Sequence, residues 1–203
     1  MELLGIDRSR LIEDAVTADR LLVAIADRSG GYDSDFLLFA DKQLMRPDRH
    51  PASGGKRRLL VSRASAAQRR MLNEAECADA LRSFDVEVVK TERMSVEEEI
   101  TLFRDAELIV GVLGAGMTNA AFAPRGTAVI DMATVYWDTQ IAQIAAARHQ
   151  RYGTLKFSPR GARLGVPAVR LDFVADVDRV VGLVEAALAG SVDGGAREKV
   201  SSA

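Results

Sequence analysis

One cysteine and two histidines are all that this 203-residue chain offers to thiol, disulfide and most transition-metal chemistry. Cys77 has no partner for an intrachain disulfide, and no zinc-binding spacing surrounds it, so a reducing compartment fits. On a helix it reads as a small apolar filler. His50 and His149 stand far apart and make no metal motif. The opening residues also lack a long apolar run. Met1 to Arg10 carry Glu2, Asp7, Arg8 and Arg10, which suits neither a signal peptide nor a membrane anchor. No membrane span is expected, and the expected location is the cytoplasm, at most peripheral at the inner membrane face. Charge of one sign is lacking too: the net value is −2, which gives no general attraction to nucleic acid. What is plentiful is apolar residues, 48% of the chain, enough for an ordinary core and one domain with a small appendage.

From residue 57 onward, short apolar runs alternate with amphipathic ones. Strands are expected at Arg57–Arg63, Val86–Lys90, Glu107–Val112 and Thr127–Met132. Helices are expected at Asn73–Phe84, Ser95–Arg104, Met117–Ala123, Asp138–His149 and Asp176–Ala189, with Val166–Phe173 extended. Such alternation predicts an α/β fold: a doubly wound parallel sheet with helices on both faces. Before residue 57 the pattern is weaker, with a strand at Leu21–Ala26, a helix at Ser34–Met45 and a breakpoint at Pro47, Pro51 and Gly54-Gly55. Residues 1–56 therefore read as a partial N-terminal or hinge segment, 57–189 as the main domain and 190–203 as a disordered tail.

The stretch Gly111-Val112-Leu113-Gly114-Ala115-Gly116-Met117-Thr118-Asn119 follows an apolar strand and opens a helix. Glycines let a ligand approach the backbone closely, and the first N–H groups of a helix attract phosphate. A tight strand-to-helix turn with nothing bound would use the same glycines. A dinucleotide fingerprint competes, but reading from Gly114 gives G-A-G-M-T-N without the third glycine, although Asp131 imitates the ribose-binding acid. Two β-α units also precede this loop, whereas that fingerprint belongs on the first strand.

Charge supplies a second signal. Lys56, Arg57, Arg58, Arg63, Arg69 and Arg70 follow one another with no acid between them. Arg63 closes a strand and Arg69 lies in the next loop, at the carboxyl end where open α/β sheets bind ligands. A guanidinium there can hold a diphosphate through two prongs; a solvated basic loop is the alternative, above all for Arg57, Arg58 and Arg70. Asn73 with Glu76, and Ser95 with Glu98, each fit a helix capping box. Asp33-Ser34-Asp35 has the letters of a D-x-D metal motif but lacks a preceding strand, and reads as a helix cap.

Taken together, Ser62-Arg63, Arg69, Asn73-Glu74, Glu76, Ser95 to Ile100 and Gly111 to Asn119 resemble glycosyltransferase family 61. Its pattern runs S-R, R-x-x-x-N-E-x-E, S-x-x-E-Q-I, G-x-H-G-A-G-L-T-N, a strand ending in Glu and a later G-x-x-Y. Order and spacing hold from residue 59 to about 152, and Leu4-Gly5-Ile6 onward resembles the stretch leading into that domain. The departures are Leu113 for the histidine, Glu99 for the glutamine, Asp131 for the glutamate, and His149-Gln150-Arg151 before Tyr152.

The resemblance implies one half of a GT-B enzyme, inverting sugar transfer from a nucleotide sugar to a glycan acceptor, and polysaccharide biosynthesis as the setting. It implies no cofactor and no essential metal. The donor-binding set it implies is Arg63, Arg69, Asn73, Glu98, Gly114, Ala115, Gly116, Met117, Thr118, Asn119 and Asp131. No residue is assignable as the general base. In a GT-B arrangement the other domain is its source, and fifty-odd leading residues are too few for that whole domain; the partners expected are a separate N-terminal domain or a homo-oligomer. Leu113 also leaves open a non-catalytic nucleotide-sugar-binding module, and the glycine turn leaves open an NAD-dependent Rossmann enzyme.

Overall fold

The computed structural model describes residues 56–134, 139–161 and 170–190, together with Lys42. The expectations for Leu21–Ala26, Ser34–Met45, Asp33 to Asp35, His50, the leading segment and the tail beyond Gly190 lie outside those residues.

Among the described residues, five parallel strands form one sheet: β1 (Arg57–Val61), β2 (Val86–Val89), β3 (Ala106–Val112), β4 (Ala128–Ala133) and β5 (Arg151–Lys156). Their order is β2-β1-β3-β4-β5. Four α-helices connect or follow them: α1 (Glu74–Leu81), α2 (Val96–Arg104), α3 (Gln140–Ala147) and α4 (Val177–Leu188). The α/β doubly wound expectation holds. Alternate residues of each strand feed two apolar layers. Leu60, Val110, Ile130 and Met132 pack with Cys77 and Leu81 of α1 and with Val180 and Val184 of α4. Leu59, Val61, Ile109 and Val129 pack with Phe103 of α2 and Ile141 and Ile144 of α3. Burying each such side chain contributes about 1.5–3 kcal/mol before chain entropy opposes it.

Two elements differ from expectation. Residues 115–122 wind as a 3-10 segment, Ala115–Phe122, rather than an α-helix. The strand β5 was not expected, because only Leu155 among its six residues is buried. As the last strand of the sheet, it needs no continuous apolar run. Of the segment expected to be extended, Val166–Phe173, the described part begins at Arg170 and is not a strand: Arg170 lies in a 3-10 turn and Leu171 in a bend. There Phe173 bridges Met71 and Pro159 instead of joining the sheet, and its ring stacks on Phe157 at 5.4 Å.

After β1 the chain turns to the α1 face; after β3 it turns to the opposite face. Adjacent strands whose loops diverge in this way leave a crevice at their carboxyl ends, the usual ligand position of such sheets. The β1–β3 boundary is that switch point.

Candidate functional site: an anion cradle at the switch point

The six basic residues from Lys56 to Arg70 separate sharply. Arg57 grips Glu87 of β2 with two bonds of 2.6 and 2.7 Å. Arg58 pairs with Glu107 at 2.6 Å and donates to the Phe84 carbonyl. Both lie at the amino end of β1, away from the crevice. Lys56 sits 4.0 Å from the same Glu107. Arg70 binds Asp172 through Nε, Nη2 and its backbone N–H. Arg63 and Arg69 are different, since no carboxylate forms an ion pair with either among the described residues.

Arg63 follows β1 and leans across the crevice to β3. A methyl group added at Gly114 would lie 2.9 Å from the Arg63 Cζ and closer still to its Nη1. The guanidinium therefore lies against Gly114 in the space a side chain there would fill. A similar crowding holds at Gly116, where a methyl would come 3.0 Å from Val61 and 3.1 Å from the Thr91 hydroxyl. Among the described residues the Arg63 guanidinium donates only to backbone carbonyls, Gln68 at 3.1 Å and Arg69 at 3.4 Å. Burial, and then the neighbouring charge of Arg69, hold its pKa below the usual guanidinium value. It stays charged at neutral pH, since guanidinium is too strong a base to lose its proton there. Arg69 has a left-handed backbone with φ of 58°, a conformation that costs a non-glycine residue energy. Its buried Nε has no hydrogen-bond partner. Two neighbouring cations, one with an unmet buried donor, make a site that an anion would complete.

Glu74, at the start of α1, fixes this arrangement. One carboxylate oxygen accepts from the Ser62 hydroxyl, and the other from the Arg63 backbone N–H at 2.9 Å. It stands in the Asn73-Glu74 pair of the sequence motif, yet its positioning role was not legible there.

The glycine turn adds backbone donors, with one correction. Met117 N–H donates to the Gly114 carbonyl at 3.0 Å, as 3-10 geometry demands, so it is not free for a ligand. The N–H groups of Ala115 and Gly116 come first in the segment and have no acceptor within it. Thr118 turns its hydroxyl back to the Ala115 carbonyl at 2.6 Å. Asn119 and Met117 are buried under the turn. Leu113 is 5% exposed and belongs to the core between the sheet and α2.

Three expected site residues have their polar groups engaged elsewhere. Asn73 makes no capping bond. Its side chain exchanges two hydrogen bonds with the backbone of Ala175, 3.0 and 2.9 Å, and touches Glu76. The capping reading fails there because a distant tertiary partner takes both ends of the amide. Glu98 closes a capping box with Ser95 at the start of α2, and that backbone bond lowers its pKa. Asp131 is fully buried, two residues short of the end of β4, with Tyr152 donating to it at 3.3 Å. A ribose-binding acid must reach the strand edge, and Asp131 does not. His149, in the turn between α3 and β5, lies at the amino end of the sheet, opposite the crevice.

Among the described residues, two clefts open beside the crevice. One, of about 440 Å³, lies between α1 and the β2 edge. The other, of about 380 Å³, lies among Arg70, Arg160 and Arg170. We place the site by the unmatched cations and the switch point, since concavity alone carries no chemistry.

The chain is thus a doubly wound α/β domain with two neighbouring arginines and a glycine turn at the end of the sheet where such folds bind their ligands. The chain belongs to glycosyltransferase family 61, whose model Glycosyltransferase 61 matches residues 5–130. It is also 29% identical over 84 residues to the EGF domain-specific O-linked N-acetylglucosamine transferase of Bos taurus. That alignment spans 39% of this chain and 16% of the bovine protein, so this chain corresponds to a small part of that enzyme. Among the described residues, no helix is long and apolar enough to cross a membrane.

Proposed function

We propose that the chain binds a nucleoside diphosphate sugar at the β1–β3 crevice and serves transfer of that sugar to a glycan acceptor. The observation that carries the reading is Arg63 stacked on Gly114 beside Arg69, whose buried Nε lacks a partner. An acceptor hydroxyl attacks the anomeric carbon while the bond to the diphosphate breaks, which inverts the centre in a single displacement. The departing charge falls to Arg63, Arg69 and the N–H groups of Ala115 and Gly116, groups already held in place. The hydroxyl proton needs a base, which this reading assigns to a separate domain or a second copy. Polysaccharide assembly as the setting rests on family analogy.

Titration calorimetry with uridine diphosphate, with and without a chelator, tests the reading. Binding that persists without divalent metal supports it, and strict metal dependence would overturn it. Arg63→Ala should lose about 1.5–3 kcal/mol of binding, the worth of a charged hydrogen bond. Arg58→Ala, whose partner is Glu107 at the amino end of β3, should leave affinity unchanged. Equal losses would mean that the cluster acts only as diffuse charge.

A second reading, a binding module without transfer activity, is favoured by Leu113. An apolar side chain packed into the core stands where the family pattern has a hydrogen-bonding imidazole. Sugar release or transfer by the isolated chain would exclude it.

A further inference from the structure

Around the other end of the loop that carries Arg69, a second set of arginines lines an open cavity of about 380 Å³. Arg70, Arg160 and Arg170 line it, with Gln68 and Asp172. The walls are braced from several directions. Arg70 and Asp172 pair through three bonds, Arg160 N–H donates to the Asp172 carbonyl at 2.7 Å, and Phe173 bridges Pro159. Asp172 is thus committed to Arg70. Among the described residues no carboxylate forms an ion pair with Arg160 or Arg170. Two arginines without an ion pair among the described residues therefore line a concave, mainly polar space at the carboxyl edge of the sheet, where β5 ends at Lys156. In a chain with a net charge of −2, this concentration of one sign is local, not a general property of the surface.

We propose that this cavity binds an anionic group, carboxylate or phosphate, carried by the glycan acceptor. The proposal rests on the transferase reading above. The donor diphosphate occupies Arg63 and Arg69, and residues 67–70 separate that site from the cavity. An acceptor presenting a hydroxyl at the crevice would then set a charged neighbouring sugar among Arg160 and Arg170. Planar guanidiniums match both carboxylate and phosphate through paired N–H bonds. The cavity volume is within the range that holds a small ligand. The local positive field also speeds encounter with an anionic chain.

The test titrates the full chain with three probes at physiological salt. These are a glucuronate-containing tetrasaccharide, the same tetrasaccharide with its carboxyl groups reduced, and a hexose 6-phosphate. At least one anionic probe should bind at least tenfold tighter than the reduced one, and which one binds distinguishes uronate from phosphate. Arg160→Gln combined with Arg170→Gln should abolish that preference while leaving uridine diphosphate affinity within twofold. Both side chains are exposed, so the variant should melt like the parent chain. Equal binding of charged and reduced probes, no binding of either anionic probe, or a preference that survives the double change would overturn the proposal. A parallel loss of uridine diphosphate binding would do so as well, by making the cavity part of the donor site. Failure of the transferase reading looks different: the parent chain would not bind uridine diphosphate at all.

Discussion

Gly114→Ala separates binding from stability in this fold. The added methyl would sit 2.9 Å from Arg63 Cζ, inside normal contact, so the guanidinium must swing away. The backbone itself does not object, since Gly114 is extended, with φ of 170° and ψ of 177°. What moves is the far end of a flexible side chain, and the native bonds it gives up are two, one of them 3.4 Å long. A neutral-acceptor hydrogen bond contributes about 1 kcal/mol, so the melting temperature should fall by only a few degrees. Diphosphate affinity should suffer more, because Arg63 no longer stands beside Arg69. The loss of about 1.5–3 kcal/mol corresponds to about 10- to 150-fold in Kd. Calorimetry with uridine diphosphate, paired with a thermal melt, reads both effects. Because the mechanism acts wholly through Arg63, adding Gly114→Ala to Arg63→Ala should cost little further affinity. Fully additive losses, or a variant that folds normally and binds as well as the parent chain, would refute the reasoning.

Glu74→Gln should cost about 1–3 kcal/mol of stability and also weaken diphosphate binding, since an amide cannot accept at both oxygen positions used by Ser62 and Arg63; denaturant unfolding and calorimetry check this. Leu113→His should lower stability by about 1–3 kcal/mol by placing an imidazole in the apolar layer. If it instead raises donor affinity or transfer, this position is what limits activity. Cys77 should resist alkylation in the folded chain at pH 8, followed by mass spectrometry. Burial, with Glu76 and Glu74 nearby, pushes its thiol up to about 11, so almost no thiolate forms there.

The sequence disclosed the doubly wound sheet because each of β1 to β4 carries its own apolar run. It hid β5, whose residues Arg151-Tyr152-Gly153-Thr154-Leu155-Lys156 become a strand only by pairing with β4. In the site, Arg63 was legible from its place after a strand and Gly114 from its turn. What sorted Arg63 and Arg69 from their basic neighbours was not. The carboxylates that neutralise Arg57, Arg58 and Arg70 lie 30, 49 and 102 positions away. No local pattern encodes pairs of that span. Asn73 failed for the same reason, since Ala175, 102 positions on, outcompetes the helix end that the local pattern favoured. The Ser95–Glu98 box needed only its own four residues, and it was read correctly.

The clasp between Arg70–Asn73 and Asp172–Ala175 also bears on where the chain may be cut. The family match ends at residue 130, and a fragment trimmed there would keep every arginine and glycine of the crevice. It would lose Asp172, Phe173 and Ala175, which hold the outer end of the Arg69 loop through side-chain and backbone bonds. It would also lose β5 and α4, and with them one edge of the sheet and part of an apolar layer. The boundary of likeness and the boundary of mechanical support are thus different places in this molecule. An expression fragment built to study the crevice has to extend to at least residue 188, where α4 ends.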